Sequence, residues 1–144
     1  MPPIPVDPPD FARVGDFEIE FVVSGHHGVY TVDRSSRGAR RTLASFRHRD
    51  DALKLVVLLV GAGWRSSQGL SSLAQRKLSS VTTLSEGPTA IHLEWQGGSA
   101  DFAVGYMGLR NAHEFSHLVY ADVADIAQSF DTPDGAPLFT NAPT

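Results

Sequence analysis

From Leu53 to Trp64 a single lysine interrupts an otherwise uncharged, mostly apolar run, and this run limits the fold more than any other segment. Leu53, Val56, Val57, Val60 and Trp64 fall at i, i+3, i+4, i+7 and i+11, the spacing of one helix face, while Leu55, Leu58 and Leu59 carry the apolar surface further around the cylinder. A helix that is apolar on most sides must be covered by neighbours, which makes it the centre of a core. Its valines are β-branched and weaken intrinsic helicity, so packing has to sustain it. Asp50 or Asp51 marks its start, and Gly61 and Gly63 either admit a neighbour at close range or fray the last turns.

The cover for that helix is found on both sides of it in the sequence. Phe17, Ile19, Phe21 and Val23 alternate with Glu18, Glu20 and Val22, the period of a strand with one buried face. A turn at Gly25-His26-His27-Gly28 leads to Val29–Val32, and a second, arginine-rich turn from Ser35 to Arg41 leads to Thr42–Phe46, giving a three-stranded meander. After the helix, residues 66–80 read as a serine-rich loop with one short helix through Leu70, Leu73, Ala74 and Leu78. Strands follow at Val81–Leu84, Ala90–Trp95 and Ala100–Tyr106, with Gly97-Gly98 as a tight turn, and Trp95 and Trp64 are both expected in the core. A last helix from Asp122 to Phe130 stops at Asp131-Thr132-Pro133-Asp134-Gly135, after which Leu138 and Phe139 can dock as an apolar latch. The expected class is α+β: a mostly antiparallel sheet of about six strands packed against a central apolar helix and a C-terminal helix. Residues 1–12 read as a proline-rich extended leader and 13–144 as a single α+β domain, a size at which one core suffices.

With no cysteine in 144 residues, disulfides, thiolate metal sites and cysteine nucleophiles are excluded, and a reducing, cytoplasmic setting is the expectation. The proline-rich start is unlike a secretory signal, and no apolar run approaches the ~20 residues that cross a bilayer, so a soluble protein without membrane contact is expected. Dinucleotide, phosphate-loop and hydrolase-elbow motifs are absent.

One motif does carry chemistry. His113-Glu114-Phe115-Ser116-His117 matches H-E-x-x-H, which on a helix places two imidazoles on one face as zinc ligands with a glutamate base beside them. A catalytic zinc also needs a third protein ligand, and no His or Glu follows His117. Asn111 reads as the N-cap, which would leave His113 in the first turn with Gly105 and Gly108 outside the helix. The simpler reading puts Ala112, Phe115 and Val119 against a core with the histidines at its edge, Glu114 being a first-turn acid at the positive end of the helix dipole. A small zinc-dependent, metallopeptidase-like hydrolase with His113 and His117 as ligands and Glu114 as base therefore stands as the alternative to a protein with no metal, no cofactor and no catalytic residues. His26-His27, and His92 with Glu94 on one strand face, are weaker candidates for metal and acid–base roles.

Charge is unevenly spread. Residues 34–54 hold seven basic against two acidic residues, a net +5, which leaves −9 on the remainder of a chain whose total is −4. Arg34, Arg37, Arg40 and Arg41 are candidate contacts for an acidic partner, whereas nucleic-acid binding would need interleaved aromatics and finds only Phe46.

Leu58 to Gly69 with Gly61, Trp64, Arg65 and Ser66, then Phe115-Ser116-His117, Asp125–Phe130 and Gly135–Phe139, resemble the immunity protein 61 family of actinobacterial polymorphic toxin systems over about Phe17 to Phe139. The resemblance implies a cytoplasmic antitoxin, monomeric in the absence of toxin, that binds and inhibits a cognate secreted protein toxin. By analogy the first candidate target is a necrotizing toxin that hydrolyses NAD, and the second a nuclease.

Overall fold

The computed structural model describes residues 10–15, 18–75 and 77–139. Seven strands and three helices follow in the order β1 (Asp10–Gly15), β2 (Ile19–His26), β3 (Val29–Ser36), β4 (Ala39–Phe46), α1 (Arg49–Ser67), β5 (Thr82–Glu86), β6 (Ala90–Trp95), β7 (Gly98–Ala103), α2 (Tyr106–Ser116) and α3 (Val123–Asp131). The strands form one antiparallel sheet in the order β1-β2-β3-β4-β7-β6-β5, an α+β fold as expected. β1 begins at Asp10, so the first strand takes in the end of the stretch read as leader. Phe17, read above as the start of the meander's first strand, lies outside the described residues, as do residues 1–9, 16, 76 and 140–144.

Tight turns fix the register of the meander. His27 (φ 51°) with Gly28 (φ 76°), and Arg37 (φ 51°) with Gly38 (φ 82°), form two-residue loops, with the positive φ at both positions that a type I′ hairpin turn needs. The strands therefore run further into both turns than the sequence suggested, and Arg40 and Arg41 belong to β4. Across the sheet Val23, Val32, Ala44, Phe102 and Ile91 stand in register, and all are buried. One residue along, Ser24, Thr31, Ser45, Asp101, His92 and Ser85 make an entirely polar row on the opposite face. This alternation is the signature of a sheet covered by helices on one side.

α1 lies on β2–β4, α2 lies on β6 and β7, and α3 packs on α1. Phe115 of α2 sits where the two halves meet, with ring centroids 5.2 Å from Phe46, 5.8 Å from Trp95 and 5.8 Å from Phe102. The buried face of α1 is rotated from the stripe read in the sequence. Ala52, Leu55, Leu58, Gly61 and Arg65 are inside, and Trp64 is 38% exposed. Trp95, by contrast, is in the core as expected. The rotation has a cause in the two cations. Lys54 is buried and donates from Nζ to Val119 O at 3.0 Å, beside Asp51 Oδ1 at 3.2 Å. Arg65, 1% exposed, donates from Nε to Ser71 O (2.8 Å), from Nη1 to Phe130 O (3.2 Å) and Thr132 O (2.6 Å), and from Nη2 to Pro133 O (3.0 Å). Backbone carbonyls satisfy a buried cation that hydropathy alone would have placed in water.

Glycine sets the distance between α1 and α3. A Cβ built on Gly61 would come within 2.7 Å of Phe130, while one on Gly63 would meet nothing within 4 Å. The first of the two readings offered for this pair, close approach, applies to Gly61. The short helix expected through Leu70 to Leu78 does not form among the described residues; Leu73 is instead buried as a single loop anchor. Of the expected latch, Phe139 is buried against Phe130 (centroids 5.9 Å apart), but Leu138 is 38% exposed. No helix of the described residues is long and apolar enough to cross a membrane.

Two substitutions two residues apart should act with opposite sign. Gly61→Val forces overpacking against Phe130 and should lower unfolding free energy by about 1–3 kcal/mol. Gly63→Ala gains helix propensity in open space and should raise it by about 0.5–1 kcal/mol. Urea denaturation followed by circular dichroism checks both. Arg65→Met leaves several buried carbonyls without donors and should cost about 3 kcal/mol or more by the same measurement.

Candidate functional site

The H-E-x-x-H segment is helical, but its place in the helix is not the one the sequence suggested. α2 begins at Tyr106, five residues before Asn111, with Gly105 (φ 112°) at its N-cap. Gly108 is inside the helix because a side chain there would collide with the Ala103 carbonyl, so the glycines that looked like helix breakers are what lets the first turn press on the end of β7. Asn111 is thus mid-helix and buried, not a cap. His113 and Glu114 stand in the last turn and His117 at the C-cap. Glu114 therefore lies near the negative end of the helix dipole, the reverse of the expectation.

His117 Nε2 donates to Lys77 O at 2.6 Å, since a carbonyl can only accept. Glu114 is held at Oε1 by Arg110 Nε at 3.4 Å. Among the described residues no three His, Asp or Glu side chains converge as a metal-ligand set, at this motif or at His26-His27, whose rings touch edge to face at 3.9 Å. Ala112, Phe115 and Val119 are buried, as the core reading of this segment requires.

Glu114 instead faces a groove. α1, the loop after it, α2 and the C-terminal segment enclose a space of about 380 Å³ whose apolar wall includes Leu58, Leu73, Leu118, Phe130 and Phe139, with exposed Met107 at its rim. Seven polar residues line it: the neutral Ser66, Ser72, Gln75 and Asn111, and the charged Arg65, Arg110 and Glu114. Arg65 is saturated by carbonyls, and Arg110 and Glu114 face each other. The Asn111 carboxamide, in a residue only 5% exposed, has no hydrogen-bond partner among the described residues. The sequence carries no sign of this groove, because its walls come from separate segments between Leu58 and Phe139.

The four arginines are placed on three different aspects of one hairpin. Arg34 and Arg41 are directly paired across β3 and β4, Arg37 is at the tip, and Arg40 faces the other way. There Arg40 Nε meets Asp33 Oδ2 at 2.7 Å and its Nη2 donates to Ser24 Oγ at 3.0 Å. Asp33 Oδ1 is buried without a partner. Arg34, Arg37 and Arg41 have no ion pair among the described residues.

On the polar sheet face, His92 and Glu94 do lie together, His92 Nε2 being 3.6 Å from Glu94 Oε1. The stronger partner comes from the next strand: His92 Nδ1 is 2.8 Å from Asp101 Oδ1. The hydrogen bond to Asp101 raises the imidazole pKa above its ordinary 6.5, burial opposes this, and the charges of Asp101 and Glu94 add to the rise. The cluster is open to water, and His92 hydrogen-bonds no serine or threonine among the described residues, so it amounts to a surface ion pair that strengthens on protonation.

Because the folded pKa lies above the unfolded one, the stability contributed by His92 is full below about pH 6.5 and disappears as pH rises through the raised value. Asp101→Asn should lower the His92 titration midpoint in an NMR pH series, and the stability gap between wild type and variant should narrow from mildly acidic to alkaline pH. A midpoint that does not move on substitution would refute this account. His117→Ala removes one exposed hydrogen bond to the 77–81 loop and should cost about 0.5–1.5 kcal/mol.

With the geometry in place, three comparisons bear on identity. No curated protein matches the chain. Among solved structures, Rv3902c from M. tuberculosis has the same fold, with a TM-score of 0.66 at 20% identity, over 85% of this chain and 74% of that one. The family model described as Immunity protein 61 matches residues 10–138, from the first residue of β1 to the segment that closes over α3, and on that match the chain belongs to the immunity protein 61 family.

Proposed function

We propose that this protein is an antitoxin that binds the catalytic domain of a cognate secreted toxin in the cytoplasm of the producing cell and blocks its active site. The family match over residues 10–138 is the observation that carries the reading. The first candidate toxin is an NAD-hydrolysing necrotizing enzyme, as the resemblance implies. Inhibition of this kind needs a preformed surface of ~800 Å² per partner and no chemistry of its own. A two-layer fold with one helix-covered face and rigid hairpins supplies such a surface. The antitoxin is monomeric until it meets its toxin.

The basic hairpin is the proposed contact for acidic groups on the toxin. Arg34 and Arg41 oppose each other directly on paired strands, an arrangement of like charges that weakens the hairpin slightly when nothing neutralises it. A carboxylate-bearing partner would remove that repulsion and would be steered to the site over a Debye length of ~8 Å. Arg37 at the tip adds to the same field, while Arg40 is engaged with Asp33 and stiffens the hairpin.

Co-expression decides the main point. The toxin encoded by the adjacent upstream gene should kill a heterologous host and deplete its NAD when alone, and should do neither when this protein is present. Killing that persists in its presence, or a toxin harmless by itself, refutes the antitoxin reading; killing and rescue without NAD loss would reassign the toxin's activity and leave inhibition standing. Arg34→Glu with Arg41→Glu should weaken toxin binding at least tenfold in titration calorimetry at low salt, and the difference from wild type should shrink as salt is raised.

A further inference from the structure

Folding alone does not account for the groove beside α2. Asn111 is only 5% exposed, yet its carboxamide has no hydrogen-bond partner among the described residues and opens on the groove, where an apolar residue of the same shape would leave no polar group to satisfy. We infer that the groove is the anchor pocket of the toxin interface and receives a neutral aromatic side chain with a hydrogen-bonding tip, a tyrosine, from an acidic loop of the toxin. This rests on the antitoxin reading.

The polar inventory selects a neutral tip. An inserted cation would meet Arg65 and Arg110, and an inserted carboxylate would meet Glu114. A hydroxyl suits both open positions, since the Asn111 carboxamide can donate to it or accept from it, and the Glu114 oxygen not held by Arg110 can accept its proton. The wall selects an aromatic body, with Phe130, Phe139 and the Met107 thioether offering ring-edge and sulfur contacts. About 380 Å³ lies at the small end of ligand pockets, which run from ~300 to ~1,000 Å³, and suits one side chain better than a dinucleotide. Tyrosine is also among the residues that dominate binding energy when seated in a pocket.

The pocket's neighbourhood argues that the occupant comes from a protein with carboxylates around it. β7 meets β4 only over Ala44–Phe46, while β4 begins at Ala39. The end of β7, the exposed Val104, Tyr106 and Met107, and the Arg34–Arg41 hairpin therefore lie toward the same end of the sheet. Tyr106 is 77% exposed and Met107, 51% exposed, is shared between that surface and the groove rim. An apolar anchor site at the end of the sheet that also carries Arg34, Arg37 and Arg41 is complementary to an aromatic residue from an acidic loop.

Two variants and one small probe test the inference, with the toxin catalytic domain from the upstream gene as partner. Asn111→Leu should leave the melting temperature unchanged or higher and weaken toxin binding at least tenfold. Ala62→Phe, at an exposed position on the groove wall, should fill the pocket and weaken binding comparably without unfolding the protein. Free p-cresol should shift the Leu118 and Met107 methyl resonances with a Kd on the order of millimolar, compete with the toxin, and fail to bind Ala62→Phe. If wild type does not bind the toxin, the antitoxin reading falls and takes this inference with it. If wild type binds but both variants bind within twofold of it, or p-cresol neither shifts those methyls nor competes, the pocket assignment alone is overturned.

Discussion

A guanidinium that forms no ion pair among the described residues organises one side of this molecule. Arg65 is buried at the C-terminal part of α1 and gives its hydrogens to four carbonyls, one after α1 and three in and after the last turn of α3. Removing such a charge from water is costly, and only a complete set of acceptors offsets it. Completing the set requires that the chain after α1 fold back at Ser71 and that α3 end where it does, at a C-terminus whose partial negative charge the cation also favours. Gly61 completes the geometry one turn earlier by letting Phe130 lie against the α1 backbone. The position of α3, the loop that follows α1 and the placement of Phe139 are thereby tied to one side chain.

That dependence explains which parts of the fold could be read from the sequence. The meander, the paired strands β6 and β7, the central helix α1 and the C-terminal helix α3 follow from local periodicity and turn chemistry, and Ala112, Phe115 and Val119 lie in the core as their spacing indicates. Orientation of α1 did not follow, because Lys54 and Arg65 interrupt the true buried face with charge and only long-range carbonyls neutralise them. The hydropathic stripe runs instead through Trp64, which is partly in water. The start of α2 was missed for a related reason: Gly105 and Gly108 are helix-weakening residues in isolation, and the close contact with Ala103 that makes Gly108 necessary is invisible until β7 is in place.

The same distinction separates the candidate sites. The four arginines stand together in the sequence, but the β3–β4 hairpin sends Arg40 to Asp33 on one face and leaves Arg34 and Arg41 opposed on the other. His92 and Glu94 were legible as strand-face neighbours at i and i+2, while the shorter contact, to Asp101, required the pairing of β6 with β7. The groove around Asn111 had no sequence signal at all: its residues come from α1, the following loop, α2, α3 and the C-terminal segment.

The H-E-x-x-H pentapeptide shows why spacing alone is a weak warrant for chemistry. A zinc site requires two imidazoles with free lone pairs, a third ligand and a base aimed at the metal-bound water. Here the helix terminates between the imidazoles, so the second one becomes a cap, and its Nε2 is committed as a donor to the Lys77 carbonyl. Ser116, buried within the motif, donates to the His113 carbonyl and accepts from Ser79 N, tying the same loop to the helix end. Ser116 and His117 thus fasten the 77–81 segment to α2, and Glu114 is turned toward the groove with Arg110. His117, which suggested a zinc ligand, holds a loop in place, and the Glu114 carboxylate faces the apolar groove that Asn111 also lines. A protein that acts by shape needs its surface loops held rigid before a partner arrives, because ordering them on binding would be subtracted from affinity. Polar residues that fix a loop and border a pocket are what that requirement selects.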